Sequence, residues 1–361
     1  MHRVLKLRGD QERRRFFVGV AVDASCTTAT AAIVAATSRG LEARFEVASH
    51  VVEEVPREMT ALYRSLDDCR PSPSTGDDCG EPSRTAAGVK VHPSDAARLA
   101  AQLADVEATA IERLAEIECD VWPRVLLAGV SDPGLWQSGH SASHYLSLCD
   151  SARLAELSGL NIVDAFPARD MVQEGRGGPL DAIPLWLLLH HIQSHRLLIQ
   201  LKPSPRAVYL PAARNEAGVH QLEVYDLEDP QEILDWLQQC IHSKQSGAGE
   251  SDSGVTGGLT VDELLLLDER GAANLPIDVT QLQVLDETAL GISAKVLPAA
   301  CAAVLGMLHI DQTPGNVPKL TGAAAPRVLG RLTPGSAHAW NRLLRDLAFV
   351  RPLITPLRAA I

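Results

Sequence analysis

The sequence lacks paired cysteines, long hydrophobic runs and an excess of positive charge. Its seven cysteines include no CxxC pair, and an odd, dispersed set suits a reducing cytoplasm better than a disulfide framework. No apolar run reaches the roughly 18 residues that a membrane-spanning helix needs. The formal net charge of -12 argues against nucleic acid as the main partner, because phosphate binding needs a basic face. We therefore expect a cytoplasmic protein that binds neither membrane nor nucleic acid.

Metal ligands are also scarce. His191 and His195 have the i,i+4 spacing of a zinc pair, but no third ligand is identifiable, so packing or contact with solvent is the better interpretation. We expect no metal site built from protein side chains alone.

The length of 361 residues allows two lobes, each with its own core. Three hydrophobic strand patterns open the first lobe, and the apolar stretch 181–201 predicts one buried helix between the lobes. The expected division is a flexible leader over 1–15, an N-terminal lobe over 16–203 with a mobile insertion at 71–93, and a C-terminal lobe over 204–361 with a linker at 243–258 and a terminal helix at 338–361.

The stretch 146–180 carries the densest pattern in the chain. It predicts a helix that begins after Asp150 and ends at Gly159, then a short strand, then a glycine-rich turn within 164–180. Gly175, Gly177 and Gly178 lie within four residues of one another, which allows a close approach of the backbone to a ligand or to another strand. A tight loop between two elements, without a ligand, is the interpretation that composition alone favours.

This stretch resembles the anhydro-N-acetylmuramic acid kinase family, in which a helix leads into "Asp-Phe-Arg" and then "Arg-Asp-x-Ala-x-Gly-Gly-x-Gly-Ala-Pro-Leu". A second block near the C-terminus is similar to the family's "Asn-Leu-Pro-x-Val-Thr-Gly-Ala" and "Leu-Gly-x-x-x-Pro-Gly" ending. The residues in register are Asp150, Ala152, Leu154, Ala155, Glu156, Gly159, Phe166, Arg169, Asp170, Gly175, Gly177, Pro179 and Leu180 in the first block, and Asn316, Pro318, Thr321, Gly322, Ala323, Leu329, Gly330, Pro334 and Gly335 in the second.

The resemblance implies an α/β fold of the two-lobed actin-like ATPase (ribonuclease H-like) type, with mixed sheets and an interlobe cleft. It also implies an activity, since the family phosphorylates 1,6-anhydro-N-acetylmuramic acid with ATP and magnesium while adding water across the anhydro bond, in cell-wall recycling. On this basis ATP and Mg would be the cofactors of an active member, and a small amino sugar would be the partner. The sequence leaves a homodimer open.

The family's phosphate and nucleotide loops survive here only in part. The resemblance implies cofactor-binding roles for Gly19, Ser25, Asp226, Gly271 and Asn274. The loop glycine of the first hairpin is replaced by Asp23, and Glu228, Asp229 and Glu269 add further negative charge to the other loops. A carboxylate in such a loop is expected to repel a triphosphate.

The catalytic base of the family, the Asp of "Asp-Phe-Arg", corresponds to Ala165. Asp164 and Asp170 flank this position and are the candidate catalytic carboxylates, and Asp170 is favoured because a one-residue shift points Asp164 to the other face of its strand. A local ion pair that holds the turn is the alternative role for Asp170.

The resemblance assigns substrate contacts to Arg169 and to the three turn glycines Gly175, Gly177 and Gly178. The combined losses favour a non-catalytic ligand-binding or regulatory relative, and an active kinase is the alternative.

Overall fold

The computed structural model describes residues 14–67, 92–138, 143–200, 206–212, 216–226, 261–267 and 283–348. The strands are β1 (Arg15–Val22), β2 (Thr28–Thr37), β3 (Arg44–Glu54), β4 (Val125–Ser131), β5 (Leu135–Ser138), β6 (Ser143–Leu146), β7 (Ile162–Asp164), β8 (Arg196–Gln200), β9 (Arg206–Leu210), β10 (Glu223–Asp226), β11 (Glu263–Leu267), β12 (Gln283–Leu285) and β13 (Arg331–Thr333). The α-helices are α1 (Arg57–Asp67), α2 (Pro93–Ile117), α3 (Ser151–Ser158), α4 (Phe166–Met171), α5 (Ala182–Leu189), α6 (Glu216–Gln221), α7 (Glu287–Leu290), α8 (Leu297–Ile310), α9 (Pro318–Thr321) and α10 (Ala337–Ala348).

The first sheet has the strand order β13-β7-β4-β1-β2-β3. Its opening strands β1, β2 and β3 pair antiparallel, as the three hydrophobic runs of the sequence predict. Strand β4 then pairs parallel with β1, and β7 pairs parallel with β4. Long crossovers are needed to join parallel neighbours, and α2 provides the first of them. The carboxyl ends of β1, β4 and β7 therefore meet at one edge of this sheet.

The second sheet repeats this arrangement with the strand order β10-β9-β8-β11-β12. Strands β8, β9 and β10 form an antiparallel meander, and β11 and β12 are added in parallel beside β8. Two sheets with the same pairing pattern, each built from a meander followed by parallel strands, define the actin-like ATPase fold. The expected two-lobed α/β architecture is confirmed.

Helix α5 is much shorter than the helix expected over 181–201. Nearly every side chain of α5 is buried, including Trp186 and Leu189, whereas residues 190–195 are mostly polar and cannot continue a helix that is buried on all sides. The chain turns there, and the Arg196 guanidinium donates to the Leu189 carbonyl at the helix end. The remaining apolar residues form β8, which lies in the middle of the second sheet. That sheet therefore begins before residue 204.

Helix α8 follows the second sheet in sequence but packs on the first. A Cβ atom added to Gly19 of β1 would lie 1.7 Å from the Ala299 carbonyl oxygen, and one added to Gly129 of β4 would lie 2.0 Å from the Ala302 oxygen. The two glycines are register partners in neighbouring strands. Because both lack a side chain, the backbone of α8 can pack directly on the strands at this point. After α8, β13 pairs with β7, so the last described strand of the chain also belongs to the first sheet.

Several expectations about mobile segments lie outside the described residues, namely the linker at 243–258, most of the insertion at 71–93, residues 1–13 of the leader and residues 349–361 of the terminal helix. Where the structure does describe their ends, Arg15 belongs to β1, Pro93 opens α2, and α10 starts at Ala337. Among the helices of the described ranges, none combines the length and the apolar composition that crossing a membrane requires.

Candidate functional site

A cavity of about 250 Å³ lies in the cleft between the two sheets. Its first wall is the carboxyl edge of the first sheet, where Ser131 and Asp132 follow β4 and Trp136 lies in β5. Its opposite wall is formed by Gln200 and Arg206 of the second sheet. The floor is apolar and comes from α8, α5 and the start of α4, with the side chains of Leu297, Pro298, Cys301, Ala302, Leu305, Leu185, Phe166 and Pro167.

Arg206 and Asp181, which both line this cavity, form an ion pair. The Arg206 Nη1 atom donates to Asp181 Oδ1 at 3.1 Å, Nη2 bonds the second carboxylate oxygen, and Nε donates to the Gln200 side-chain oxygen at 2.5 Å. Burial lowers the pKa of Arg206, but the charge and hydrogen bonds of Asp181 outweigh burial, so the pKa lies above its ordinary value. The guanidinium is therefore charged and already neutralised by a residue of the same chain.

Asp132 is the carboxylate closest to the end of β4 on the cavity wall. It accepts hydrogen bonds from the Tyr145 hydroxyl and the Leu148 amide, and from the Ser147 hydroxyl at 3.3 Å. Burial raises the pKa of Asp132, and the Tyr145 hydrogen bond opposes that shift. The bonds join β4 to the segment after β6, so the side chain ties two parts of the cavity wall together.

The glycine turn packs directly against the same wall. Gly177 has φ +78°, and an added Cβ would lie 2.7 Å from Cζ3 of Trp136. Gly175 lies beside Asp170, where an added Cβ would be 2.1 Å from a carboxylate oxygen. Gly177 thus has a backbone conformation that favours glycine, and the expected close approach of the turn is to protein side chains.

Asp170 is fully buried and does not line the cavity. Its Oδ1 atom accepts from the Asn316 amide at 2.6 Å and from the Thr321 hydroxyl at 2.8 Å, while Oδ2 accepts from the Gly177 amide at 3.0 Å. The carboxylate thereby joins the glycine turn to α9 and the segment before it. The local partner considered from the sequence, Arg169, is exposed on α4.

Asp164 is also fully buried, at the end of β7. Arg331 of the neighbouring strand β13 binds it through two nitrogens, with an Nη2–Oδ2 distance of 2.6 Å. Burial raises the pKa of Asp164, and the Arg331 hydrogen bond opposes the shift. Ala165, which occupies the position of the family's base, follows with φ +53° and turns the chain into α4.

The β1–β2 turn contains Asp23, whose carboxylate points back into its own loop. It accepts hydrogen bonds from the backbone amides of Ser25, Thr27 and Thr28 and from their three hydroxyl groups. Burial raises the pKa of Asp23, but these hydrogen bonds outweigh it and lower the pKa from 3.8 to about 2. Ser25, expected to contact a cofactor, is exposed and bonded to Asp23.

The other expected cofactor residues that the structure describes lie in different strands. Gly19 lies beneath α8 in the middle of β1, and Asp226 is exposed at the end of β10. Gly271 and Asn274 lie outside the described residues. Gly178 is half-buried beside Gly177 but does not line the cavity. The structure thus brings together Asp170, Gly175 and Gly177.

The described ranges contain no group of three or more His, Cys, Asp or Glu side chains that could hold a metal ion. The β1–β2 turn, where the resemblance places phosphate, has its described donors committed to Asp23. The described residues of this turn therefore do not fit the phosphate of ATP.

Sequence reasoning missed Arg206, Asp181 and Gln200 as members of the cleft. One signal was available, because Arg206 and Gln200 are polar residues that flank short apolar strands at the point where the second meander reverses. Their meeting with β4 depends on how the two sheets face each other, which no local pattern encodes.

The two matched sequence blocks lie against each other in the structure. Asp170 bonds Asn316 and Thr321, the Arg176 amide donates to the Thr321 carbonyl at 2.8 Å, and β7 pairs with β13. These contacts between residues of the two blocks form a clasp that joins the glycine turn to the C-terminal block.

Duplicated sheets enclosing a cleft are the hallmark of a two-lobed protein of the actin-like ATPase class. Within that class, a family model described as anhydro-N-acetylmuramic acid kinase matches residues 238–335. The anhydro-N-acetylmuramic acid kinase of Nitrosomonas europaea is 26% identical over an alignment that covers 52% of this chain and 70% of that protein. The enzyme of the same name from Nitrosospira multiformis is 25% identical, over 54% of this chain and 70% of its own length. Over these stretches the chain is similar to the anhydro-N-acetylmuramic acid kinase family.

Proposed function

We propose that this protein is a non-catalytic relative that keeps the family scaffold and binds a small amino sugar in its cleft, in a ligand-binding or regulatory role. The observation that carries the proposal is the combination of a cavity in the cleft with a β7–α4 segment that offers it no carboxylate. Ala165 stands at the position of the base, and the flanking Asp164 and Asp170 are both fully buried away from the cavity.

Phosphorylation coupled to addition of water needs a base that reaches the water within about 3 Å. Asp164 is held by Arg331, and Asp170 is held by donors from α9 and the segment before it. Releasing either carboxylate toward the cleft would leave buried donors unpaired, at a cost of roughly 1–3 kcal/mol for each group. We propose that both aspartates are structural in this chain.

The cavity supports binding of a compact polar molecule with an apolar face. Its wall carries Ser131, Gln200 and the Arg206–Asp181 pair, and its floor is apolar, which is the usual composition of a small-molecule site. A monosaccharide has hydroxyl groups for the wall and a carbon face for Trp136, so an amino sugar is the ligand that family membership and composition favour together.

The test is to incubate the protein with MgATP and 1,6-anhydro-N-acetylmuramic acid, and to titrate the same sugar into the protein calorimetrically. We expect no phosphorylated product and a measurable heat of binding. Ser131→Leu, which extends an apolar side chain into the cavity, should weaken sugar binding at least about 10-fold, equivalent to about 1.4 kcal/mol. Ser65→Leu, on α1 and away from the cavity, is the matched control and should leave binding unchanged.

Two outcomes contradict the proposal in different ways. ATP-dependent formation of a phosphorylated sugar would establish the alternative, an active anhydro-N-acetylmuramic acid kinase using ATP and Mg. Absence of both product and sugar binding would leave the protein non-catalytic but would remove the amino sugar as its ligand.

A further inference from the structure

The β1–β2 turn has the construction of an anion-binding site. The amides of Ser25, Thr27 and Thr28 converge on one point, with N···O distances to Asp23 of 2.8, 3.1 and 2.6 Å. Cys26, between them, has φ +54°, and alternation of the chain into the left-handed region is how successive amides come to face a single acceptor. Such concave arrays of amide donors bind phosphate in other proteins.

The hydroxyl groups of the turn add to this donor set. The Ser25 and Thr28 hydroxyls lie 2.6 Å from the Asp23 carboxylate oxygens, and the Thr27 hydroxyl lies 2.7 Å from Oδ2. One carboxylate therefore receives three amide and three hydroxyl donors. An oxyanion of tetrahedral shape would use the same donors, because phosphate oxygens and carboxylate oxygens accept the same kind of hydrogen bond.

The turn does not depend on the carboxylate alone for its shape. The Asp23 amide donates to the Thr28 carbonyl at 3.0 Å, and the Cys26 amide donates to the Asp23 carbonyl at 2.9 Å. The Thr60 hydroxyl also bonds the Cys26 carbonyl at 2.6 Å and fixes the turn to α1. These contacts all involve backbone atoms of the turn, so they survive a change of the Asp23 side chain.

We infer that Asp23 is a built-in occupant of an oxyanion site, so that the native turn excludes phosphate and loss of the carboxylate exposes a site for a tetrahedral oxyanion. This inference goes beyond the proposed function, since it concerns what the turn binds and not what the cleft binds. It gives the mismatch with ATP a physical cause, which is that the donors are filled and a fixed negative charge stands where phosphate would lie.

The experiment compares wild type with Asp23→Gly and Asp23→Ala in inorganic phosphate. Thermal melting is recorded in rising concentrations of phosphate and in sodium chloride of equal ionic strength. Phosphate also stabilises proteins without a specific site, by exclusion from their surfaces, and that contribution is common to all variants. We expect both variants to gain about 2–4 °C more than wild type at saturating phosphate, because a ligand stabilises the state that binds it.

Calorimetric titration with phosphate provides the second readout. Binding to both variants should be at least about 10-fold tighter than to wild type, equivalent to about 1.4 kcal/mol. Asp286→Gly is the matched control, because it removes one aspartate that accepts a single amide, that of Ala289, at the start of α7. This control should show the wild-type response to phosphate.

The Asp23→Ala variant controls for the added backbone flexibility that glycine would give to the turn. If both variants keep the wild-type circular dichroism and still respond to phosphate as wild type does, the turn is not an oxyanion site. Tight phosphate binding by the wild-type turn, reported by shifts of the Ser25, Thr27 and Thr28 amide resonances, would also overturn the inference. Neither outcome bears on whether the cleft binds sugar.

Discussion

Replacing Gly177 with alanine should destabilise the protein by about 2–4 kcal/mol. The φ of +78° costs an L-residue roughly 1–2 kcal/mol. The new Cβ would lie 2.7 and 2.9 Å from two carbons of Trp136 and 3.0 Å from the Met171 sulfur. Overpacking of this kind costs about 1–3 kcal/mol, and the reduced freedom of the unfolded chain returns about 0.4–1 kcal/mol.

The Trp136 ring has little room to yield. It packs on the Tyr145 ring with centroids 4.7 Å apart, and its Nε1 atom donates to the Pro133 carbonyl at 3.0 Å. A shift of the ring would disturb both contacts and the cavity wall. Relief of the clash is therefore expected to be partial.

Gly322→Ala is the matched control for the backbone part of this cost. Gly322 also has φ +78°, but no heavy atom lies within 4 Å of the position of its added Cβ. Its substitution should cost about 1 kcal/mol, from the backbone conformation alone. Equilibrium unfolding in urea measures both variants, and the difference between them isolates the contact with Trp136. Equal losses in the two variants would refute the packing argument, and no loss in either would refute the whole account.

Two further predictions concern buried carboxylates. Glu107 of α2 is fully buried, and neither carboxylate oxygen has a hydrogen-bond partner within the described ranges. Burial, with the charges of Asp132 and Asp164, raises the pKa of Glu107 in the folded protein above its ordinary value of 4.5. The unfolded chain therefore loses this proton at a lower pH than the folded protein does. The contribution of Glu107 to stability is complete below pH 4.5 and is lost as the pH rises through the folded pKa. The urea midpoint of Glu107→Gln relative to wild type should therefore increase from pH 5 to pH 8. The control, Glu116→Gln at an exposed position of the same helix, should show no such trend. Parallel pH profiles for the two variants would contradict the argument. Asp170→Asn places an amide nitrogen, which is itself a donor, against a donor on one side of the former carboxylate. It should lower the free energy of unfolding in urea by about 1.5–3 kcal/mol without changing sugar binding. An unchanged free energy of unfolding would show that the clasp contributes little to stability.

The opening meander and the helix α2 could be predicted from local pattern. Apolar runs separated by turn residues predict β1 to β3, and the stripe that includes Leu99, Leu103 and Leu114 predicts α2. In these elements the buried residues recur with the period of the strand or the helix itself, so the local sequence is enough to predict the element. The stretch 181–201 lacked that information, because a short apolar run fits a buried helix or a buried strand equally well.

The candidate site was predicted less completely, because its side chains are oriented by distant partners. Asp170 was expected to face the cleft, yet donors 146 and 151 positions away along the chain hold it in the interior. Gly19 was expected beside a cofactor, yet the structure uses the missing side chain to admit the backbone of α8. The charge of Asp23 was evident from the sequence, but the direction of its carboxylate depends on the backbone conformation of the turn.

By itself the sequence determined the resemblance to a family, the glycine-rich turn, and the alanine at position 165 where that resemblance expects a carboxylate, because each depends only on residue identity and near neighbours. Only the tertiary structure decided that the two matched blocks contact each other, that Asp164 and Asp170 are buried, and that Arg206 binds Asp181 in the lining of the cavity. The physical reason is the range of the interactions: local conformational preferences act over a few residues. The burial and pairing of a charge are fixed by whichever distant segments the folded chain brings beside it.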